Sequence, residues 1–123
     1  MERLNKVSEV IIGCAIEVHR NLGPGLLESI YQRALLIELK NAGLATESEK
    51  VIDVLYKDEI IGQFRIDILV EKQIVIELKS VDRHDPVFDA QLLSYMKLGG
   101  YRLGLLINFN QKLLKEGVKR MIL

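Results

Sequence analysis

Three residues combine the types and the spacing that chemistry needs. Asp67 stands ten positions before Glu77, and Lys79 follows Glu77 by two. All three lie in runs dominated by aliphatic residues, Ile66 to Val70 and Ile74 to Lys79. Two apart on an extended strand, Glu77 and Lys79 point to one face, roughly 6.6 Å apart along the chain. A carboxylate and an ammonium on an apolar strand are costly to bury unless they are paired or bound to something. With Asp67 on a neighbouring strand, two carboxylates could hold one Mg2+ and leave its other positions to waters and phosphate oxygens. Such an ion lowers the pKa of a bound water and neutralises a phosphate. Lys79 could hold that water or stabilise developing negative charge. The same three residues would also serve as a structural salt-bridge cluster or a solvated face, and spacing alone leaves both readings open.

Register is what separates them. Residues directly opposite in an antiparallel pair share a face. A two-residue turn at Glu71-Lys72 pairs Val70 with Gln73 and puts Asp67 opposite Ile76, on the wrong side. A three-residue turn, Glu71-Lys72-Gln73, pairs Val70 with Ile74 and sets Asp67 opposite Glu77. The metal reading therefore requires the three-residue turn or a bulge.

Further residues widen the candidate set. Gln91 and Tyr95 are i and i+4 on a helix that follows the strands, so they share a face. Glu28 lies near the start of an earlier helix, on one face with Tyr31, and could be a third acidic ligand; an acid there also suits the helix dipole. His19 ends a helix, where a cation is favourable, and His84 sits between Arg83 and Asp85 in a loop. Arg65 shares the Asp67 face if the strand is regular. Gly23-Pro24-Gly25 reads as a rigid turn. Lys112, Lys115, Lys119 and Arg120 make the C-terminal stretch basic, as a nucleic-acid backbone or plain solvation would require.

The elements that must position these groups are readable from periodicity. Leu4, Val7, Ile11, Cys14 or Ala15, and Val18 recur at helical steps. After the Gly-Pro-Gly break, a second helix is expected over about 26–41, with Leu27, Ile30, Tyr31, Ala34 and Ile37 as its apolar stripe. Strands are expected over 51–56, 60–70 and 74–79, with Gly62 marking a bulge. Asp85-Pro86 begins a helix as cap and first residue, and Gly99-Gly100 ends it. The apolar run from Tyr101 to Asn108 is a fourth strand, parallel to the third because a helix intervenes. A short helix or turn over 110–116 and a strand over 118–122 complete the order. The fold class is α/β, with a mixed sheet and two helices before the strands.

Composition sets the outer limits. The chain has 123 residues, 49% of them hydrophobic, enough for a core without staples. Lys plus Arg is 17 and Asp plus Glu is 17, which excludes a strongly basic nucleic-acid coat but not a local patch. One cysteine, Cys14, excludes an intrachain disulfide and a Cys-rich zinc site. No targeting segment or membrane-length apolar run is visible, so a cytoplasmic single domain over 1–123 without membrane contact is expected.

Several runs carry a family resemblance in chain order. His19-Arg20-Asn21-Leu22-Gly23-Pro24-Gly25-Leu26-Leu27-Glu28-Ser29-Ile30-Tyr31 resembles the defining motif of the GxxExxY proteins. Phe64 to Val70, Ile76-Glu77-Leu78-Lys79, Ala90-Gln91-Leu92-Leu93-Ser94-Tyr95 and Gly104 to Phe109 resemble the rest of it. That family is placed in the PD-(D/E)XK nuclease superfamily, and Gln91 and Tyr95 resemble the Q-x-x-x-Y element of its RecB-like members. The resemblance implies a restriction-endonuclease-like three-layer core and a nuclease acting on nucleic acid, DNA first, with Mg2+ or Mn2+. It implies Asp67, Glu77 and Glu28 as metal ligands, Lys79 as the catalytic lysine, and Gln91 and Tyr95 as supporting catalytic residues. Ile66, not the Pro of the superfamily's motif, precedes Asp67, and many members likewise lack that Pro. The alternative is a non-catalytic module with this fold that binds a protein or nucleic-acid partner, and a homodimer or protein partner completing the groove is a further expectation.

Overall fold

The computed structural model describes residues 1–123. Two helices, α1 (Glu2–Leu22) and α2 (Glu28–Asn41), precede three strands, β1 (Thr46–Tyr56), β2 (Glu59–Val70) and β3 (Ile74–Lys79). Helix α3 (Pro86–Gly99), strand β4 (Leu103–Asn108), a 3-10 turn (Leu114–Gly117) and strand β5 (Val118–Ile122) follow. The sheet order is β1-β2-β3-β4-β5. Only the β3–β4 pair is parallel, as the intervening α3 requires. No helix is long and apolar enough to cross a membrane.

Helices cover both faces of the sheet. Ile74, Ile76 and Leu78 of β3 join Leu103, Leu105 and Ile107 of β4 in a core completed by α1 and α2. On the other face Val75, Leu69 and Leu106 pack with Leu92 and Met96 of α3. This is the expected three-layer α/β arrangement with a mixed central sheet. The strands flanked on both sides are almost continuously apolar, as buried strands must be. Asp85 caps α3 by accepting a hydrogen bond from the Val87 amide at 2.9 Å, and Gly100 ends it in the left-handed conformation.

Two turns fix the register. Lys57 and Asp58, both at positive φ, form the two-residue loop between β1 and β2. Its ladder slips by one residue near Gly62, which makes Ile61 the bulged position. Between β2 and β3 the loop is the three-residue one, and Val70 pairs with Ile74. Glu71 and Lys72 take positive φ there, and the Gln73 amide closes the loop on the Val70 carbonyl at 3.0 Å. The Glu71 carboxylate ties that loop to the Ala45 amide at 2.7 Å and to Arg3 at 3.2 Å.

Three sequence expectations are corrected. The buried stripe of α2 is Tyr31, Leu35 and Leu39, whereas Leu27, Ile30 and Ile37 face outward, Leu27 at 70% exposure. Strand β1 starts five residues earlier than its apolar part, at Thr46, because β2 supplies its ladder over that polar stretch. Strand β2 is not regular at Asp67. Ile66 packs on the α3 side, whereas Ile68 packs on the α1–α2 side. The ladder skips Glu49, which takes a positive φ of 53°, at the same level. The alternation therefore changes sense at Asp67, and Arg65 lies exposed on the outer surface rather than beside it.

Candidate metal centre

The register built by the Glu71–Gln73 loop brings Asp67 to Glu77. Past Ile68↔Ile76 the β2–β3 ladder stops, and side chains take over its hydrogen bonds. The Leu78 amide donates to Asp67 Oδ2 at 2.8 Å, and the Asp67 amide points at Glu77 Oε1 at 3.4 Å. The Asp67 carbonyl in turn accepts a hydrogen bond from Gln32 Nε2 of α2 at 3.0 Å. The aspartate is thus held by both the sheet and the helix layer beside it.

Glu77 is the electrostatic centre of this arrangement. It is only 5% exposed, on the same face as Val75 and therefore under α3. Burial first, then the neighbouring Asp67 charge, push its carboxyl up to about 9. Two carboxylates side by side in a desolvated cleft are stable only if one keeps a proton or a cation joins them. Lys79, two residues on, partly offsets the repulsion. Its Nζ lies 4.5 Å from the centroid of Phe88, which holds the ammonium near the site without neutralising it.

The remaining expected residues cluster around this pair. Burial raises the Glu28 carboxyl, Lys79 lowers it and Asp67 raises it, so Glu28 feels both. Its loop is tied to the strand end, because Ser80 Oγ donates to the Leu26 carbonyl at 2.5 Å. Gln91 Nε2 donates to the Tyr95 hydroxyl at 2.8 Å, and the Tyr95 ring stacks on Phe64 with centroids 4.1 Å apart. Burial and then Glu77 raise the Tyr95 hydroxyl. The Gln91–Tyr95 pair therefore stands over the carboxylates from the α3 layer. No group of three or more His, Cys, Asp or Glu side chains converges to hold a metal ion, so the acidic core is the Asp67–Glu77 pair with Glu28 at its margin. A hard divalent cation needs only one or two carboxylates when phosphate and water fill the rest. The buried, mutually repelling pair fits such a cation.

His19 lies elsewhere, whereas His84 sits at the rim of the site, its ring 5.9 Å from that of Phe88, on which Lys79 rests. His19 Nε2 is 2.7 Å from the Gln111 carbonyl and ties α1 to the segment after β4. His84 pairs with Asp89 at 2.8 Å. Sequence reasoning missed Asn108, whose amide spans the strand ends. It donates to the Val81 carbonyl at 3.0 Å and accepts from the Val81 and Asn110 amides at 3.2 and 3.1 Å. A polar residue closing an apolar strand, in register with Lys79, was the available signal. Gln32 is four residues after Glu28 on α2 and Phe88 three before Gln91 on α3, so helical spacing was the signal that could have found them.

A mixed sheet with helices on both faces, and an Asp opposite a Glu-x-Lys strand, defines a restriction-endonuclease-like fold. A model of the PD-(D/E)XK nuclease superfamily matches residues 5–121. The chain belongs to that superfamily, whose members generally use divalent metal ions. No curated protein and no solved structure matches the chain.

Proposed function

We propose that the chain, as one domain over 1–123, is a nuclease that hydrolyses nucleic-acid phosphodiester bonds, DNA first, with Mg2+ or Mn2+. The observation that carries this reading is the apposition of Asp67 and Glu77 in a desolvated cleft with Lys79 on the same face. Asp67 and Glu77 would hold the ion, with Glu28 as an outer acidic group. The bound ion would supply charge neutralisation at the phosphate and acidify a water. Lys79 would stabilise the negative charge that builds on the phosphate as water adds and the ester oxygen leaves. Gln91 holds the Tyr95 hydroxyl in place beside the carboxylates, where it can orient the substrate strand. The motif resemblance to the GxxExxY proteins, whose Glu and Tyr correspond to Glu28 and Tyr31, supports the same assignment. The work would take place in the cytoplasm.

The test is cleavage of single-stranded DNA, duplex DNA and RNA with Mn2+ or Mg2+. Wild type should cut at least one of them. Asp67→Asn and Glu77→Gln, which keep shape and hydrogen-bonding capacity, should lose that activity while remaining folded. Equal cleavage by the variants, or none by wild type on any substrate, overturns the proposal. Binding without cleavage supports the alternative of a non-catalytic binding module.

A further inference from the structure

A second constellation lies next to the carboxylates. A cleft of about 50 Å3 opens between the loop after β3 and the segment joining β4 to β5. Its lining includes Lys79, His84, Asn108, Glu116 and Lys119, with Phe88 as an apolar wall. That space suits a single tetrahedral anion and is too small for a nucleoside, given that drug-sized ligands need at least about 300 Å3.

Three positively charged or polar donors converge on it with capacity to spare. Lys119 Nζ lies 3.2 Å from Asp89 Oδ2 and 3.2 Å from His84 Nε2. His84 Nε2 faces the Asp89 carboxylate and carries its proton there, so Lys119 bonds to Asp89 alone and two of its three N–H donors remain for a ligand. His84 Nε2 donates to Asp89 Oδ2 at 2.8 Å, which fixes the ring; Nδ1 has no protein partner and donates to an anion when the ring carries both protons. Lys79 forms no ion pair within the protein and rests on Phe88. The edge of the same Phe88 ring meets the His84 ring, with centroids 5.9 Å apart. Lys79 thus belongs to both places: it is two residues from Glu77 on one strand face, and it lines the cleft.

We propose that this cleft is a subsite for a phosphate group, held by Lys119 and His84 with Lys79 at its inner edge. Resting on the nuclease reading above, the occupant is the phosphate next to the scissile one on the same strand. The cleft then sets which way the strand runs past Asp67 and Glu77. Glu116 is the acid in the lining that opposes an anion, and Asp89 offsets part of the Lys119 charge from behind.

The experiment titrates inorganic phosphate, and separately thymidine 3′,5′-bisphosphate, into metal-free isotope-labelled protein followed by amide NMR. The amides of Val81, Asn108, Gln111 and Gly117 should shift in a saturable manner. Lys119→Ala should weaken binding about tenfold, since a charge-assisted contact is lost. Glu116→Gln should tighten it about threefold, since a like charge is removed. This second variant leaves the Lys119–Asp89 pair intact and so guards against a misfolded first one. Absence of shifts at those amides, or an affinity unchanged in both variants, overturns the subsite. Asp67→Asn should leave phosphate binding in place. Metal binding without cleft shifts would sink this proposal alone; cleft shifts without metal binding would sink the nuclease reading and keep the anion site.

Discussion

The raised Glu77 carboxyl makes the stability of the metal-free protein depend on pH in an unusual direction. Its value is about 9 in the folded chain against an ordinary value of 4.5. The folded state therefore binds the proton more tightly than the unfolded state between those limits. Stability from this group is fully present below about pH 4.5 and is lost as pH rises toward 9. Each pH unit inside that window costs at most about 1.4 kcal/mol. Between pH 5.5 and pH 8 the loss is about 3 kcal/mol, a large part of what a domain this size has to spare. Glu77→Gln keeps the shape and removes the titration, so it should abolish that slope and exceed wild type in stability at pH 8. Urea unfolding of both proteins at the two pH values reads this directly. Saturating Mn2+ should flatten the wild-type slope by replacing the proton. Parallel pH profiles for wild type and Glu77→Gln would mean that the carboxyl is not desolvated beside Asp67.

Two further outcomes follow from groups that support the site. Tyr31 is fully buried, donates to the Gly23 carbonyl at 2.6 Å and accepts from the Leu26 amide at 3.1 Å. Tyr31→Phe should cost about 1–3 kcal/mol in a denaturant titration and speed hydrogen exchange at Leu26. Gly117 closes the wall beside Asn108, and a Cβ there would meet the Asn108 carbonyl oxygen at 2.2 Å. Backbone cannot step aside as a flexible side chain can, so Gly117→Ala should cost about 2–3 kcal/mol by thermal or chemical unfolding.

Much of this architecture was legible because local signals agreed with one another. The Asp85-Pro86 start and the Gly99-Gly100 stop bound α3, and the helix between two apolar runs forced β3 and β4 to be parallel. Whether Asp67 meets Glu77 depends on the length of the Glu71–Gln73 loop, and the Val70↔Ile74 pair makes it three residues. Other features depend on tertiary context. Helix α2 with its cap residue Leu27 carries two apolar stripes, Leu27-Ile30-Ile37 and Tyr31-Leu35-Leu39, and periodicity cannot say which one the sheet covers. The change of face at Asp67 has no glycine to announce it, since Glu49 takes the left-handed conformation. The cleft beside Lys79 joins residues from α3, the loop after β3 and β5, which no local pattern links.

The central claim is that Asp67 and Glu77 together hold a divalent cation. Calorimetric titration of Mn2+ into wild type and into the Asp67→Asn/Glu77→Gln double variant, in two buffers of different ionisation heat, tests it most directly. Wild type should bind saturably at pH 7 with about one proton released per ion, and the folded variant should not bind. Equal binding by the variant, or no binding by wild type even with thymidine 3′,5′-bisphosphate present, would contradict that claim.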